Sequence, residues 1–183
     1  MANSDPHLEH LKRCLKQEVM VSSAPFSWFK TIHKAIKCPG RRYYFWWRIA
    51  NYLYLSKRHR KLAIRLVRKL RIKYACDIHP GTQIGAGLRI SHFVGIVISH
   101  RCIIGENFHI KQNVTIGVRH TSQSGHIHIG DRVEVGANSC IIGDDIYIGD
   151  NVIVGAMSFV NKNVPDNSVV LNKKEMTILP ANV

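Results

Sequence analysis

Six of the eleven histidines in this 183-residue chain, His92, His100, His109, His120, His126 and His128, fall within one stretch of fewer than forty residues. An imidazole changes charge near neutral pH, so a histidine set beside a reacting hydroxyl suits general base catalysis, a contribution of roughly 10² to 10⁴ in rate. Three imidazoles around one point suit a zinc ion instead, and the cluster leaves both chemistries open. The five cysteines do not join it. Cys14, Cys38, Cys76, Cys102 and Cys140 are odd in number and form no CxxC pair or zinc-ligand spacing, so they read as reduced structural thiols of a cytoplasmic protein. The polar opening MANSDPHLEHLKRCLK does not read as a signal peptide.

The segment that must position these histidines repeats every six residues. From Ile78 the period passes through Ile84, Ile90, Ile96, Cys102, Phe108 and Val114, then resumes at Ile127, Val133 and Ser139 and again at Ile146, Val152, Ser158 and Val164. Between them lie turn-forming pieces such as IGAG, IGEN, VGAN and IGDN, whose Gly, Asn and Asp residues tolerate sharp corners. One hexad is then one short strand and one corner, three hexads make a triangular coil, and each coil is buried by the next. Two irregularities break the period. The stretch from Gly117 to Gly125 reads as a protruding loop, and the seven-residue step from Ser139 to Ile146 as a bulged corner without a function.

The basic charge lies outside the repeat. Up to residue 75 there are 18 Lys or Arg against 3 acids, whereas from residue 76 the numbers are 8 and 9. Residues 1 to 24 are polar with a weakly helical run and read as partly mobile. Helices are expected from Phe26 to Lys37, where Pro39-Gly40 ends the run, from about Arg42 to Ser56, and through the basic amphipathic run HRKLAIRLVRKLRIKY. Aromatics mixed with basic residues fit two roles. One is contact with the anionic inner face of the cytoplasmic membrane; the other is a cap on the solenoid's open end. No run reaches the roughly 20 apolar residues needed to span a bilayer, and no RNA-binding motif is visible, so no nucleic-acid partner is expected.

The runs CDIHPGTQIGAGLRISHFVGIVISHRCIIGENFHIKQNVTIG and HIGDRVEVGANSCIIGDDIYIGDNVIVGAMSFVNKNVPDNSVV together resemble the serine acetyltransferase branch of the hexapeptide-repeat acyltransferases. In style they are closer still to the bacterial polysaccharide O-acetyltransferases of the colanic-acid type. The resemblance implies a mainly β protein: a left-handed parallel β-helix over residues 75–171, after a helical, basic region at 1–74 and before a tail at 172–183. It also implies a homotrimer that uses acetyl-CoA and needs no metal. By the motifs DIHP and SHFVG, His92 matches the catalytic histidine and Asp77 its carboxylate partner. With about 18 residues per coil, Gly95 would lie above Asp77, so Asp77 and His92 would meet across adjacent coils. Alignment of the shared IGD places a second active-site histidine at His126, with His120 and His128 as competitors and substrate contacts. Gly136, Ala137, Gly155, Ala156 and Lys173 are the expected acetyl-CoA contacts, with Lys174 beside them.

Two departures shape the expected acceptor. Where the serine acetyltransferases carry an aspartate and an arginine linked to the charged groups of serine, this chain has Ser91 and Gly125. Uncharged groups suit a sugar, so the main expectation is acetyl transfer to a saccharide hydroxyl, with serine as the alternative. A γ-carbonic-anhydrase-like zinc protein and a non-enzymatic membrane scaffold are the readings from other classes.

Overall fold

The computed structural model describes residues 5–120 and 125–173. Its first part is helical. Helix α1 (Pro6–Leu15) starts at Asp5, whose side chain accepts the backbone N–H groups of His7 and Leu8, and it continues as a π-helical turn over Lys16–Met20. Helix α2 spans Trp28–Lys37, α3 Pro39–Leu55 and α4 Arg60–Tyr74. Pro39 both stops α2 and occupies the first turn of α3, where its missing N–H costs nothing. Of the first 24 residues, expected to be partly mobile, residues 5 to 20 are packed, with Leu11, Cys14, Leu15, Val19 and Met20 buried, whereas Val21 to Ser23 are exposed.

After Ala75, which closes α4 in the left-handed conformation, fourteen short strands among the described residues form three parallel sheets. The first sheet stacks β1 (Cys76–Ile78), β4 (Ile96–Ile98), β7 (Thr115–Gly117), β10 (Cys140–Ile142) and β13 (Phe159–Val160). The second stacks β2 (Gln83–Ile84), β5 (Cys102–Ile104), β8 (Ile127–Ile129) and β11 (Ile146–Ile148). The third stacks β3 (Arg89–Ile90), β6 (His109–Ile110), β9 (Glu134–Val135), β12 (Ile153–Val154) and β14 (Val169–Val170). This is a left-handed parallel β-helix preceded by helices. Corner residues Asn107, Asn113, Asn138, Asn151 and Asn167 all have positive φ, the conformation that asparagine tolerates best after glycine.

Each hexad buries two side chains, not one. Cys76 and Ile78, Ile96 and Ile98, Cys102 and Ile104, Phe108 and Ile110, and Val114 and Ile116 all face inward. Followed by register rather than by count, Ile78 lies under Ile98 and Ile84 under Ile104. The six-residue column read from the sequence therefore slips from one inward position to the other between Ile90 and Ile96. The inward partner of Ile90 on the next face is Ile98, and the step contains two extra residues. They sit in the corner that carries His92.

Helix α3 lies across the open end of the solenoid and satisfies its edge. Trp47 Nε1 donates to Ile78 O at 3.0 Å, Asn51 Nδ2 to Pro80 O and Thr82 O at 2.8 Å each, and Tyr43 OH contacts Cys76 Sγ at 3.1 Å. Arg48 donates to Ile84 O and Gly85 O at 2.7 Å each, and pairs with Glu18 at 2.9 and 2.6 Å. Both side chains of that pair are 1% exposed. Glu18 Oε1 also accepts the N–H groups of Gly87 and Leu88. Burial opposes the charge on Arg48, but Glu18 beside it raises its pKa above the ordinary value. These edge groups of the first coil thus keep hydrogen-bond partners beneath the cap. The aromatics Tyr43 and Trp47 are buried in this cap, while Phe29, Ile32 and Ile36 of α2 are exposed. Among the described residues no helix is long and apolar enough to cross a membrane.

Candidate active site

His92 occupies the widened corner between β3 and β4 and is exposed. Its neighbours fix the corner from below. The Phe93 ring packs on Tyr43, Tyr44 and Tyr74 with centroids 4.7, 6.0 and 5.3 Å away. Ile90 N–H donates to Tyr44 OH at 2.8 Å, and that hydroxyl donates to Ile90 O at 3.3 Å. Gly95, at φ +74°, donates to Ala75 O at 2.8 Å, and a Cβ there would strike Asn113. The helical cap and the first coil therefore hold this corner together.

Asp77 is close in sequence to that anchor but differently engaged. It lies opposite Val97, twenty residues on, not opposite Gly95, because the first coil contains the two extra residues. Its carboxylate pairs with Arg71 at 3.2 Å. Among the described residues no hydrogen bond or ion pair joins Asp77 to His92, so the expected direct contact is not made in this chain. His79 of the same motif is structural: its Nδ1 accepts Gly81 N–H at 2.9 Å and its ring meets Tyr54 and His100. Burial, then the charge of His100, lowers its pKa.

Ser91 faces outward beside His92 and is bonded to His109, Oγ to Nε2 at 2.8 Å. His109 lies opposite Arg89 in the register, with Arg89 Nη2 2.9 Å from its Nδ1, and opposite Glu134 on the other side. Burial first, then Arg89, lowers the His109 pKa. Lys111 bonds Glu134 at 2.9 Å and is the main cause of that carboxyl's lowered pKa. This ladder is not legible in the sequence, because its bonded members are 18 or more residues apart and only the register aligns them.

The two irregularities of the repeat meet. Asp144, in the long corner thought to lack a function, accepts His120 N–H at 3.3 Å and contacts His120 Nδ1 at 2.9 Å. The His120 bond is the leading cause of its lowered pKa. Asp145, at φ +55°, accepts His126 N–H at 3.1 Å. The bulged corner thus fastens both stems of the loop, of which residues 121–124 lie outside the described residues. A carboxylate-held imidazole is therefore found at His120. Gly125 packs closely, and a Cβ there would sit 3.0 Å from Asp144 Cβ, so packing against the bulged corner favours a small residue at this position. His126 is exposed with its ring 6.2 Å from that of His128, and His128 lies on the outer face of the second sheet between Ile103 and Tyr147.

Gly136, Ala137, Gly155 and Ala156 lie on the same edge of the prism as His92, at later turns of the corner between the third and first sheets, and Lys173 follows β14 there. Gly136 stacks directly on Ala156, where a Cβ would fall 2.8 Å from Ala156 Cα. The loop histidines leave from the corner between the first and second sheets. Within one chain the outer face of the first sheet separates them from His92. Among the described residues no group of three His, Cys, Asp or Glu side chains is arranged to hold a metal ion.

Over 87 residues, 46% of this chain, the sequence is 41% identical to the chloroplastic serine acetyltransferase 1 of Arabidopsis thaliana. The backbone superposes on serine acetyltransferase isoform 3 of Entamoeba histolytica in complex with cysteine, with a TM-score of 0.73, 26% identity and 96% of this chain covered. It superposes on the Neisseria gonorrhoeae serine acetyltransferase in complex with serine with a TM-score of 0.71, 27% identity and 90% covered. The chain has the serine acetyltransferase-like hexapeptide-repeat acyltransferase fold. Its matches take in 27% of the Arabidopsis protein and 62% and 68% of the two solved chains. No protein-family model matches the sequence.

These likenesses overturn the saccharide expectation. The three proteins named above are serine acetyltransferases, and the two solved ones are complexes with cysteine and with serine. The inference from Ser91 and Gly125 failed because it treated two aligned positions as the only sources of charge. Gly125 has a packing reason to be small, and Ser91 belongs to a ladder that contains charged groups.

Proposed function

We propose that this chain is an acetyl-CoA-dependent serine O-acetyltransferase, forming O-acetylserine as in cysteine biosynthesis. The observation that carries this reading is the fold shared with serine acetyltransferases across most of the chain, with His92 exposed at a corner held by Phe93 and Tyr44. His92 is the general base. It takes the proton of the serine hydroxyl as that oxygen attacks the thioester carbonyl, and the imidazolium then protonates the departing CoA thiolate. Backbone N–H groups facing the thioester oxygen stabilise the developing oxyanion. Transfer is direct, without an acyl-enzyme.

The edge that carries His92 is lined above it by Gly136, Ala137, Gly155 and Ala156, whose small side chains leave room for an extended pantetheine arm, and Lys173 suits its phosphates. Asp77, paired with Arg71 at 3.2 Å, takes the lesser role of the two motif residues. In the homotrimer that the resemblance implies, His126, with His120 as the carboxylate-held alternative, comes from the other edge of a neighbouring copy.

The test is transfer of labelled acetyl from acetyl-CoA by the purified protein to serine, simple sugars, nucleotide sugars and bacterial polysaccharide, with mass spectrometry of the product. Label is expected in serine. Label in a sugar with none in serine would overturn the reading.

A further inference from the structure

On the outer face of the third sheet, Arg89 and Ser91 point to the same side, with His92 next in the chain. A guanidinium has no lone pair, so in the neutral ring its 2.9 Å contact with His109 has Nδ1 accepting, in preference to the longer 3.4 Å approach of Glu134 Oε2 to the same atom, and the ring proton lies on Nε2. Nε2–H then donates to Ser91 Oγ, 2.8 Å away. Because Ser91 already receives this hydrogen bond, its own hydroxyl proton is available to another group. Arg89 and Ser91 are both exposed. Among the described residues no carboxylate pairs with Arg89, and Glu134, two rungs along the same column, is bonded by Lys111 at 2.9 Å and approaches His109 Nδ1 at 3.4 Å. An unpaired guanidinium and an oriented hydroxyl therefore stand side by side next to the proposed base. Both donate, and both suit an anionic oxygen.

We propose that Arg89 and Ser91 form a carboxylate-binding subsite that holds the acceptor amino acid while His92 takes the proton of its hydroxyl. This rests on the serine reading above. The reach is compatible, since alternate residues of a strand lie about 6.5 to 7 Å apart and only two carbons separate the hydroxyl and carboxylate of serine. His109 is the positioning residue, because it sets the orientation of both donors. The subsite supplies a cation that Gly125 does not.

Kinetics with serine and with ethanolamine, which keeps the hydroxyl and amine but lacks the carboxylate, test this directly. In Arg89→Gln the KM for serine should rise about tenfold to a hundredfold, the range of a lost charge-assisted contact. The serine-to-ethanolamine ratio of kcat/KM should fall at least tenfold, and Arg89→Lys should recover part of it. Ser91→Ala, a smaller change should Arg89→Gln not fold, should shift the same ratio in the same direction. If wild-type protein acetylates serine and neither variant moves the ratio, the subsite is overturned while the serine reading stands. If wild-type protein acetylates neither compound, both fall.

Discussion

At the scale of single residues, the chain separates two jobs that the sequence reading gave to one pair. His92 is exposed on a corner held by Phe93 and Tyr44, whereas Asp77 bonds Arg71; a carboxylate sits on Nδ1 at His120, 2.9 Å from Asp144, and more loosely at His109, 3.4 Å from Glu134. Asp77→Asn is accordingly expected to slow acetyl transfer by about tenfold, well short of the roughly 10² to 10⁴ lost with a general base. Steady-state kinetics on serine check it, and a loss as large as that of His92→Ala would mean that Asp77 and His92 act in direct contact after all. The histidine corner was legible because its motif is local. The Arg89, His109 and Ser91 ladder was not, since it depends on a twenty-residue register that the two extra residues of the first coil displace.

At the scale of elements, α3 explains why a basic, aromatic region precedes a nearly neutral solenoid. The sequence left membrane contact and end-capping both open, and α3 caps, with Trp47, Arg48 and Asn51 bonded to first-coil carbonyls. The mixed polar and aromatic composition follows, because a strand edge needs donors as well as cover. The Arg48 and Glu18 pair is fully desolvated and shares six hydrogen bonds with each other and the backbone. Arg48→Met leaves a buried carboxylate without its cation and should cost about 3 to 5 kcal/mol, read from urea unfolding. A change below about 1 kcal/mol would show that the cap does not depend on this pair. The periodic strands were readable from hexads alone, but the hexads hid the slip between the two inward positions, since both are buried and largely apolar and a count of six cannot tell one from the other.

At the scale of the whole molecule, the solenoid has edges, and the candidate groups are divided between two of them. His92 and the small residues Gly136, Ala137, Gly155 and Ala156 share one, and the loop stems fastened by Asp144 and Asp145 share another. A pH dependence follows from the titrating groups. His79 and His109 have lowered pKa values, both led by burial. The unfolded chain therefore binds more protons than the folded one as pH falls through 6.5, their ordinary value. Stability should thus be greatest above that pH and decline on acidification. Glu134 and Asp144, with lowered values of their own, contribute a further loss below the ordinary carboxylate range. Thermal melting from pH 8 to 5 checks it, and His109→Gln should flatten the upper part of the decline; a melting temperature that rises on acidification would contradict it. The most direct test of the central claim is the rate of CoA release from acetyl-CoA in the presence of serine, measured for wild-type protein and His92→Ala at matched folding. Serine-dependent release that disappears in the variant, with the melting curve unchanged, is the predicted result; full activity in His92→Ala would contradict it.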